Sequence, residues 1–155
     1  IDLSPEMLAL ARAQLDRPEL QHCSVRQGDL YDLPLQDESA DLVTLHMVLH
    51  FLDDPAASIA EAARVLKPGG RLLIADFAPH ELDYLRDSHA HRRLGFTESE
   101  VAGWLAEAGL RAGETRTLPP EGGEDAKLTV RIWVADKNGK VAARAARPVE
   151  FEGVK

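Results

Sequence analysis

The chain has 155 residues, of which 45% are hydrophobic and 28% are charged, and this is the composition of one globular domain rather than of a disordered chain. Its net charge of −8 argues against nucleic-acid binding by this segment, because phosphates are bound by a basic face, and no apolar run approaches the length of a membrane span. Cys23 is the only cysteine, which excludes an internal disulfide and a multi-thiolate metal site and favours a reducing, cytoplasmic location.

The first predicted elements are the end of a strand, a helix and a short second strand. The chain starts at Ile1, within the strand end, so we expect further residues before it in the intact protein. Ser4-Pro5-Glu6 predicts a helix start, because serine caps free amides, proline suits the first helical position and glutamate favours the positive end of the helix dipole. Residues 24–27 predict a short strand that ends at Gly28-Asp29. One face of the helix carries apolar side chains, namely Met7, Leu8, Ala11 and Leu15.

The middle of the chain predicts a βαβ unit. Residues 41–46 (DLVTLH) and 71–76 (RLLIAD) are apolar on both faces, as buried parallel strands are. Between them, Asp54-Pro55 predicts the start of a helix and residues 67–70 (KPGG) predict its end. The handedness of such units makes the two strands parallel. The apolar stripe of the helix is formed by Ile59, Ala62, Ala63 and Leu66.

The last third of the chain predicts a helix followed by an antiparallel hairpin. Residues 97–100 (TESE) form a capping box, and Gly109 suits the left-handed end of the helix. Extended segments near 110–118 and 128–135 are joined by the turn-rich sequence PPEGG, which favours antiparallel pairing. We therefore predict a parallel α/β sheet that ends in an antiparallel hairpin, as one domain over residues 1–135 with a weakly patterned tail over residues 136–155.

Two carboxylates follow neighbouring predicted strands. Asp2 and Asp29 each stand at the carboxyl end of a strand, where ligands bind in open α/β sheets. A carboxylate at Asp2 can accept both hydroxyls of a ribose, and one at Asp29 can accept from an amine such as that of adenine, with Gly28 allowing a flat ring to approach the backbone. The structural alternatives are a second helix cap for Asp2 and an ordinary Gly-Asp turn for Asp29. Together the two carboxylates predict a nucleoside site.

Three consecutive motifs resemble those of class I (Rossmann-like) S-adenosylmethionine-dependent methyltransferases, namely IDLSPEML, QGDLYDLPLQDESADLVTLHMVLHFLDDP and EAARVLKPGGRLLIADF. The sequence is similar to the quinone-biosynthesis C-methyltransferases and, over residues 80–110, to the methyltransferase module of ArsR-type regulators. The resemblance implies a Rossmann-like fold and S-adenosyl-L-methionine as cofactor. The implied cofactor-binding residues are Asp2 for the ribose, Leu3 and Met7 on the adenine side, Asp29 for the adenine amine, Leu30 beside the ring and His46 near the methionine part.

One departure from the family pattern concerns its Gly-rich loop, which follows the first strand of the family and meets the methionine carboxylate. No GxGxG occurs in this sequence, and Gly69-Gly70 and Gly122-Gly123 lie in other contexts. The family's first strand lies between the strands that end at Asp2 and His46, so we expect an open seam of unpaired backbone groups there. The fold is thus expected to be incomplete at its N-terminus, and this chain alone is not expected to be a competent enzyme.

The histidines raise the question of a metal site or a base. His46 and His50 are four residues apart and residues 89–91 contain a close pair, but no HExxH arrangement exists. A substrate pocket or the surface is therefore favoured over a metal site, and no metal is predicted. If the acceptor must lose a proton, the candidate bases are His46, His50 and His80. No residue is assigned a catalytic role.

The resemblance implies methyl transfer to a small-molecule acceptor, in which the protein mainly aligns the acceptor and excludes water. Arg92 and Arg93 fit either an anionic acceptor group or solvated surface charge. The alternative function is a ligand-sensing, methyltransferase-like module of an ArsR-type transcriptional regulator, with a DNA-binding domain upstream. A third hypothesis is a nicotinamide-dependent oxidoreductase, which shares the ribose-binding acid but which the terminal hairpin disfavours.

Overall fold

A computed structural model describes residues 1–120 and 128–138. The helices are α1 (Pro5–Leu15), α2 (Pro55–Val65), α3 (Tyr84–His89) and α4 (Glu98–Glu107), and short 3₁₀ turns lie at Pro18–Leu20 and Leu49–Phe51. The strands are β1 (Ala40–His46), β2 (Leu66–Phe77), β3 (Leu110–Leu118) and β4 (Val130–Lys137). Within these ranges, no helix is both long and apolar enough to cross a membrane.

The four strands form one mixed sheet in the order β1-β2-β4-β3. β1 and β2 are parallel, with Leu45 opposite Ile74 and His46 opposite Ala75. β4 is antiparallel to both β2 and β3. The predicted fold class, a parallel α/β sheet that ends in an antiparallel hairpin, is therefore confirmed. Among the described residues, no strand pairs with the free edge of β1.

The hydrophobic core lies on the face of the sheet that α2 and α4 cover. Side chains alternate along a strand, so Leu45 of β1 joins Leu72 and Ile74 of β2 and Trp133 of β4 on this face. The predicted stripe of α2 packs here, and Ile59 is fully buried. The helix begins where it was predicted to begin, because the Asp54 side chain accepts from the amide of Ala57 and Pro55 occupies the first turn.

The start of α4 follows its sequence signature closely. Thr97 Oγ1 accepts from the amide of Glu100, and the Glu100 carboxylate accepts from the amide of Thr97, which completes the capping box. Phe96 and Val101 are both fully buried beside this turn. The helix ends before Gly109, whose φ of 73° lies in the left-handed region.

Three local predictions differ from the structure. Residues 24–27 do not form a strand, and only Gln27 pairs, through a single parallel bridge with Asp2. Residues 67–70 belong to β2 as an irregularity, since Ala40 lies opposite Leu66 but Leu42 lies opposite Arg71. The last strand starts at Val130 rather than at residue 128.

Two further predictions were made for stretches that the structure does not describe. Most of the PPEGG connection (119–123) and almost all of the tail lie outside the described residues, and the domain boundary at residue 135 stays a prediction.

Candidate active site

A single parallel bridge brings the two predicted carboxylates to neighbouring positions. The amide of Asp2 donates to the carbonyl oxygen of Arg26 over 3.2 Å, and the amide of Gly28 donates to the carbonyl oxygen of Asp2 over 3.1 Å. Asp29 follows Gly28 directly, so both acids stand where their extended segments end. The nucleoside hypothesis places both acids at segment ends of this kind, and their contact with a ligand stays a prediction.

Each carboxylate also shapes its own turn. Asp2 Oδ1 accepts from the amide of Ser4 at 2.8 Å, and Asp29 Oδ1 accepts from the amide of Tyr31 at 2.9 Å. Both side chains therefore stabilise local turns, as the structural alternatives for Asp2 and Asp29 proposed. Both side chains are exposed, and their Oδ2 atoms make no hydrogen bond to a described residue, so each acid retains one oxygen that can accept from a ligand.

Gly28 is required for a reason that differs from the predicted one. A Cβ atom at this position would lie 2.6 Å from Pro34 Cδ and 2.8 Å from Ile1 Cγ2. The glycine thus allows two side chains of the protein to pack against the backbone. The approach of a flat ring to this backbone, which the sequence interpretation gave as the role of Gly28, stays a prediction.

Apolar side chains flank the two carboxylates at the surface. Leu3 is 63% exposed and Met7 is 53% exposed, and Ile1 and Tyr31 are exposed beside them in the sequence. Leu30 is half-buried and packs against the core. Met7 was predicted to share the apolar face of α1 with Leu8, and of these two residues Leu8 is buried and Met7 is exposed. Exposed apolar side chains are free to cover an aromatic ring.

The segment after Asp29 is attached to α2. The hydroxyl oxygen of Tyr31 accepts from the amide of Asp54 at 3.1 Å, at the start of α2. Glu61 accepts from the amide of Leu33 at 2.7 Å, and Arg64 donates to the carbonyl oxygen of Leu33 at 3.2 Å. The hydrogen bond from Arg64 lowers the pKa of Glu61 and so keeps this carboxylate ionised. Because α2 follows the carboxyl end of β1, these contacts fix the Asp29 turn near that edge of the sheet.

His46 is exposed at the end of β1, on the opposite face from Leu45. The next residue, Met47, has a φ of 50°, and its amide donates to the carbonyl oxygen of Ala75 at 2.8 Å. The strand therefore ends in a left-handed turn at a non-glycine residue, which is uncommon and costs conformational energy. No hydrogen bond joins His46 to Asp2 or Asp29, and its role beside the methionine part stays a prediction.

A buried, hydrogen-bonded pair of side chains, Asp76 and His50, lies next to this turn. Asp76, at the end of β2, is fully buried, and its Oδ1 lies 2.7 Å from Nδ1 of His50. The amides of Leu49 and Phe77 also donate to this carboxylate, over 2.9 Å and 2.8 Å. Sequence reasoning listed His50 as a candidate base but missed its partner. The available signal was an acidic residue at the end of an otherwise apolar strand.

Two further imidazoles lie close to His50. The ring centroids of His50 and His91 are 4.3 Å apart, and the ring of His80 is 5.8 Å from that of Phe77. Burial lowers the pKa of both His80 and His91, and the neighbouring His50 lowers it further. Nε2 of His80 and Nδ1 of His91 are buried and accept or donate no hydrogen bond among the described residues.

The geometry shows what the two arginines contact and how the potential metal ligands are arranged. Arg92 forms an ion pair with Asp53, and Arg93 donates to the Asp53 carbonyl oxygen at 2.9 Å, so both side chains help to attach their segment to the turn after β1. The amides of Arg92 and Arg93 both donate to the carbonyl oxygen of His50. His46 and His50 do not share a helix face, and no group of three or more potential metal ligands occurs in the part of the chain that the structure describes.

Comparison with known proteins places these features in a family. Residues 1–74 match the methyltransferase domain family. The chain is 37% identical over 125 residues to malonyl-[acyl-carrier protein] O-methyltransferase of Hahella chejuensis, which covers 74% of this chain and 42% of the relative. It is 38% identical over 88 residues to demethylmenaquinone methyltransferase of Clavibacter sepedonicus, covering 55% of this chain and 34% of the relative.

These matches make the chain similar to S-adenosylmethionine-dependent methyltransferases, with residues 1–74 matching the methyltransferase domain. A solved methyltransferase-type structure from Bacillus halodurans shares the fold, with a TM-score of 0.71, 24% identity and coverage of 88% of this chain and 81% of that chain. The chain spans less than half the length of the curated relatives that it matches, from 28% to 46%.

The match to the methyltransferase domain favours S-adenosylmethionine over a nicotinamide as the cofactor, and solved structures that share the fold are named as S-adenosylmethionine-dependent methyltransferases. The residues present fit the adenosine part of that cofactor. Asp2 and Asp29 each keep a free oxygen at paired segment ends, and the exposed Leu3 and Met7 lie beside them in the chain. A carboxylate accepts from hydroxyl and amine groups, and these are the groups that adenosine presents.

Proposed function

We propose that this chain forms the adenosine-binding part of a methyltransferase that uses S-adenosylmethionine and acts on a small-molecule acceptor. The observation that carries the proposal is the bridge between Asp2 and Gln27, which brings Asp2 and Asp29 to the ends of paired segments as exposed carboxylates, each with an oxygen free. A pair of such acceptors suits the two polar ends of a nucleoside better than a single carboxylate does.

In this proposal each residue has a limited task. Asp2 accepts from the ribose hydroxyls, Asp29 accepts from the adenine amine, and Leu3, Met7 and Leu30 cover the faces of the ring. His46, at the tip of β1, lies near the methionine part. The cofactor supplies an activated methyl group when bound, so the protein has to align an acceptor and exclude water.

The nature of the acceptor follows from charge and composition. A net charge of −8 makes nucleic acid an unsuitable partner for this segment, which favours a small molecule. The exposed, unpaired thiol of Cys23 suits a reducing compartment, so a cytoplasmic location is part of the proposal. The ligand-sensing module of an ArsR-type regulator uses the same nucleoside site and stays a prediction, and methyl transfer to any acceptor would distinguish the two.

The test is a titration of the isotope-labelled chain with S-adenosylhomocysteine, followed through backbone amide resonances. We expect saturable shifts at residues 1–3 and 28–31. Asp2→Asn and Asp29→Asn should each weaken binding about tenfold, because a hydrogen bond to a charged acceptor contributes about 1.5–3 kcal/mol. Asparagine retains the oxygen that accepts from the turn amide, so the local turns survive the substitution.

The matched control is Asp16→Asn, which removes an exposed carboxylate at the end of α1, away from the bridge. This variant should bind as the unmodified chain does. Unchanged affinity in both Asp2→Asn and Asp29→Asn would contradict the site assignment, and tighter binding of NAD than of S-adenosylhomocysteine would contradict the choice of cofactor.

A further inference from the structure

The pair formed by Asp76 and His50 has the geometry of an oriented base. A carboxylate accepts hydrogen bonds and does not donate them, so the shared proton of the 2.7 Å contact resides on Nδ1 of His50. The other ring nitrogen, Nε2, then carries the lone pair and can accept a proton. Asp76 both fixes this tautomer and stabilises the imidazolium that forms when a proton arrives, as carboxylates do beside catalytic histidines.

The position of the pair is where a ligand is expected. Asp76 lies at the carboxyl end of β2, and His50 follows the carboxyl end of β1, so both stand at the edge of the parallel strands that binds ligands in α/β folds. The turn that bears Asp29 is attached to the start of α2 at this same edge. The Asp29 turn and the pair formed by Asp76 and His50 thus lie at the same edge of the sheet. Methyl transfer requires such an arrangement, because the methyl donor and the methyl acceptor must meet.

An unsatisfied polar group beside the pair also points to a ligand. His91 is 8% exposed, its ring lies 4.3 Å from that of His50, and its buried Nδ1 has no partner within the described residues. Nε2 of His80 is in the same state. Buried polar atoms almost always have a hydrogen-bond partner, so these nitrogens call for a polar group from beyond the described residues, such as a bound ligand.

We propose that Nε2 of His50 accepts the proton of the methyl acceptor, and that the acceptor is a small molecule with a weakly acidic O–H or N–H group. This inference rests on the proposed function. The bond from the acceptor oxygen or nitrogen to the methyl carbon forms while the bond from that carbon to the donor sulfur breaks. The electron pair of the broken bond stays on sulfur, and the acceptor proton moves to His50.

The charged and titratable groups around His50 suit this role. Asp76 of β2 is the anionic group in contact with its ring. Burial lowers the pKa of His80 and His91, from the segment after β2, and so disfavours a positive charge on either ring beside His50. Arg92 is paired with Asp53, and Arg93 is held on the carbonyl oxygen of Asp53. Asp76 is a positioning residue, and His50 is the group that touches the acceptor.

The test uses 4-nitrophenol as the probe acid, because its phenolate absorbs in the visible range and its phenol does not. We expect the chain to raise the phenolate fraction several-fold over that in buffer of the same pH. His50→Gln and Asp76→Asn should abolish the increase, whereas His22→Gln, which alters an exposed histidine far from the pair in sequence, should retain it. 4-Nitroanisole, which has no acidic proton, should cause no spectral change.

A second measurement on the unmodified chain does not depend on whether the variants fold. Nitrogen-15 resonances of the imidazoles should show the Nδ1–H form of His50 without the probe and protonation of both nitrogens with it. A phenolate fraction equal to that of buffer overturns the proposal, and so does a His50 resonance that the probe leaves unchanged. Formation of phenolate without binding of S-adenosylhomocysteine would retain the base and contradict methyl transfer. Binding of S-adenosylhomocysteine without formation of phenolate would retain the proposed cofactor site and contradict the role of His50 as a base.

Discussion

The nucleoside region, residues 1–39, and the sheet region, residues 40–138 where described, are built in different ways. The sheet region has a continuous core formed by four strands and two helices. In the nucleoside region, by contrast, Leu8 and Leu33 are the buried apolar side chains. Its shape depends on one isolated bridge, on two carboxylate-centred turns and on contacts with α2.

The difference teaches where stability and binding reside in this molecule. Segments with few buried apolar contacts open at low free energy, and binding sites are often drawn from such segments. A ligand that contacts both Asp2 and Asp29 would order the nucleoside region, whereas the sheet region keeps its structure without a ligand. The four predictions below test this contrast.

The largest effect is expected from a matched pair of leucine truncations. Leu105 of α4 is 1% exposed and Leu10 of α1 is 63% exposed. Leu105→Ala should lower the free energy of unfolding by about 2–5 kcal/mol, because it removes buried methyl groups and leaves a cavity. Leu10→Ala should change it by less than about 0.5 kcal/mol. Urea denaturation followed by circular dichroism measures both, and equal losses would contradict the contrast between the regions.

A smaller effect is expected from two glycines of the sheet region that share a left-handed backbone. Gly95 has a φ of 83°, and a Cβ there would overlap the carbonyl oxygen of Ala78. Gly109 has a φ of 73°, and a Cβ there would meet no atom within 4 Å. Gly95→Ala should cost about 3 kcal/mol, near the upper end for ordinary substitutions, and Gly109→Ala about 1 kcal/mol. Thermal denaturation compares them, and a larger loss for Gly109→Ala would refute the steric account.

The sequence predicted the sheet region well because its signals are local. The capping box at Thr97, the proline after Asp54 and the left-handed Gly109 act within one or two turns of chain, and a helix period or a strand period extends over several residues. These patterns were sufficient for α1, α2 and α4, for the parallel pairing of β1 with β2 and for the antiparallel direction of the hairpin, whereas α3 was not predicted. Residues 67–70 were an exception, since they form an irregularity within β2 and not a separate turn.

The candidate site was harder to predict because its contacts join residues that are far apart in sequence. His50 and Asp76 are 26 positions apart, and no local sequence pattern around either residue predicts their contact. Residues 24–27 have the composition of a strand, but in the described structure only Gln27 finds a partner. Gly28 was interpreted from its neighbour Asp29, whereas the atoms that require it belong to Ile1 and Pro34. Such requirements arise only when the chain has folded.

Helix caps allow a finer comparison of the two regions. Thr97 caps α4 within a reciprocal capping box, and Ser4 caps α1 by accepting from the amide of Met7 at 3.2 Å. Thr97→Ala should cost about 1 kcal/mol of global stability, because α4 belongs to the core. Ser4→Ala should speed hydrogen exchange within α1 and leave the exchange of β2 unchanged. If the hydrogen-exchange rates of α1 and β2 responded equally to both substitutions, the two regions would be one cooperative unfolding unit.

The smallest effect concerns the imidazoles of the sheet region. Burial lowers the pKa of His80 and His91 in the folded chain, and the nearby His50 lowers it further. An unfolded histidine has a pKa of about 6.5, so below that pH the unfolded chain binds more protons than the folded one, and stability falls. Above that pH both states are neutral and this contribution is constant. The urea midpoint should therefore be level above about pH 7 and decline as the pH falls from about 6.5 to 5.5.

Substitution separates this effect from other titrations. The double variant His80→Gln and His91→Gln should flatten the decline, and His22→Gln, in the nucleoside region, should leave it as it is. Hydrogen bonds with Arg64 and Thr97 lower the pKa of Glu61 and Glu100, so these carboxylates lose their stabilising contacts at a lower pH than the histidines titrate. A decline between about pH 6.5 and 5.5 that persists in the double variant would assign the pH dependence to a different group. If the decline disappeared in His22→Gln, the pH dependence of stability would be assigned to the nucleoside region.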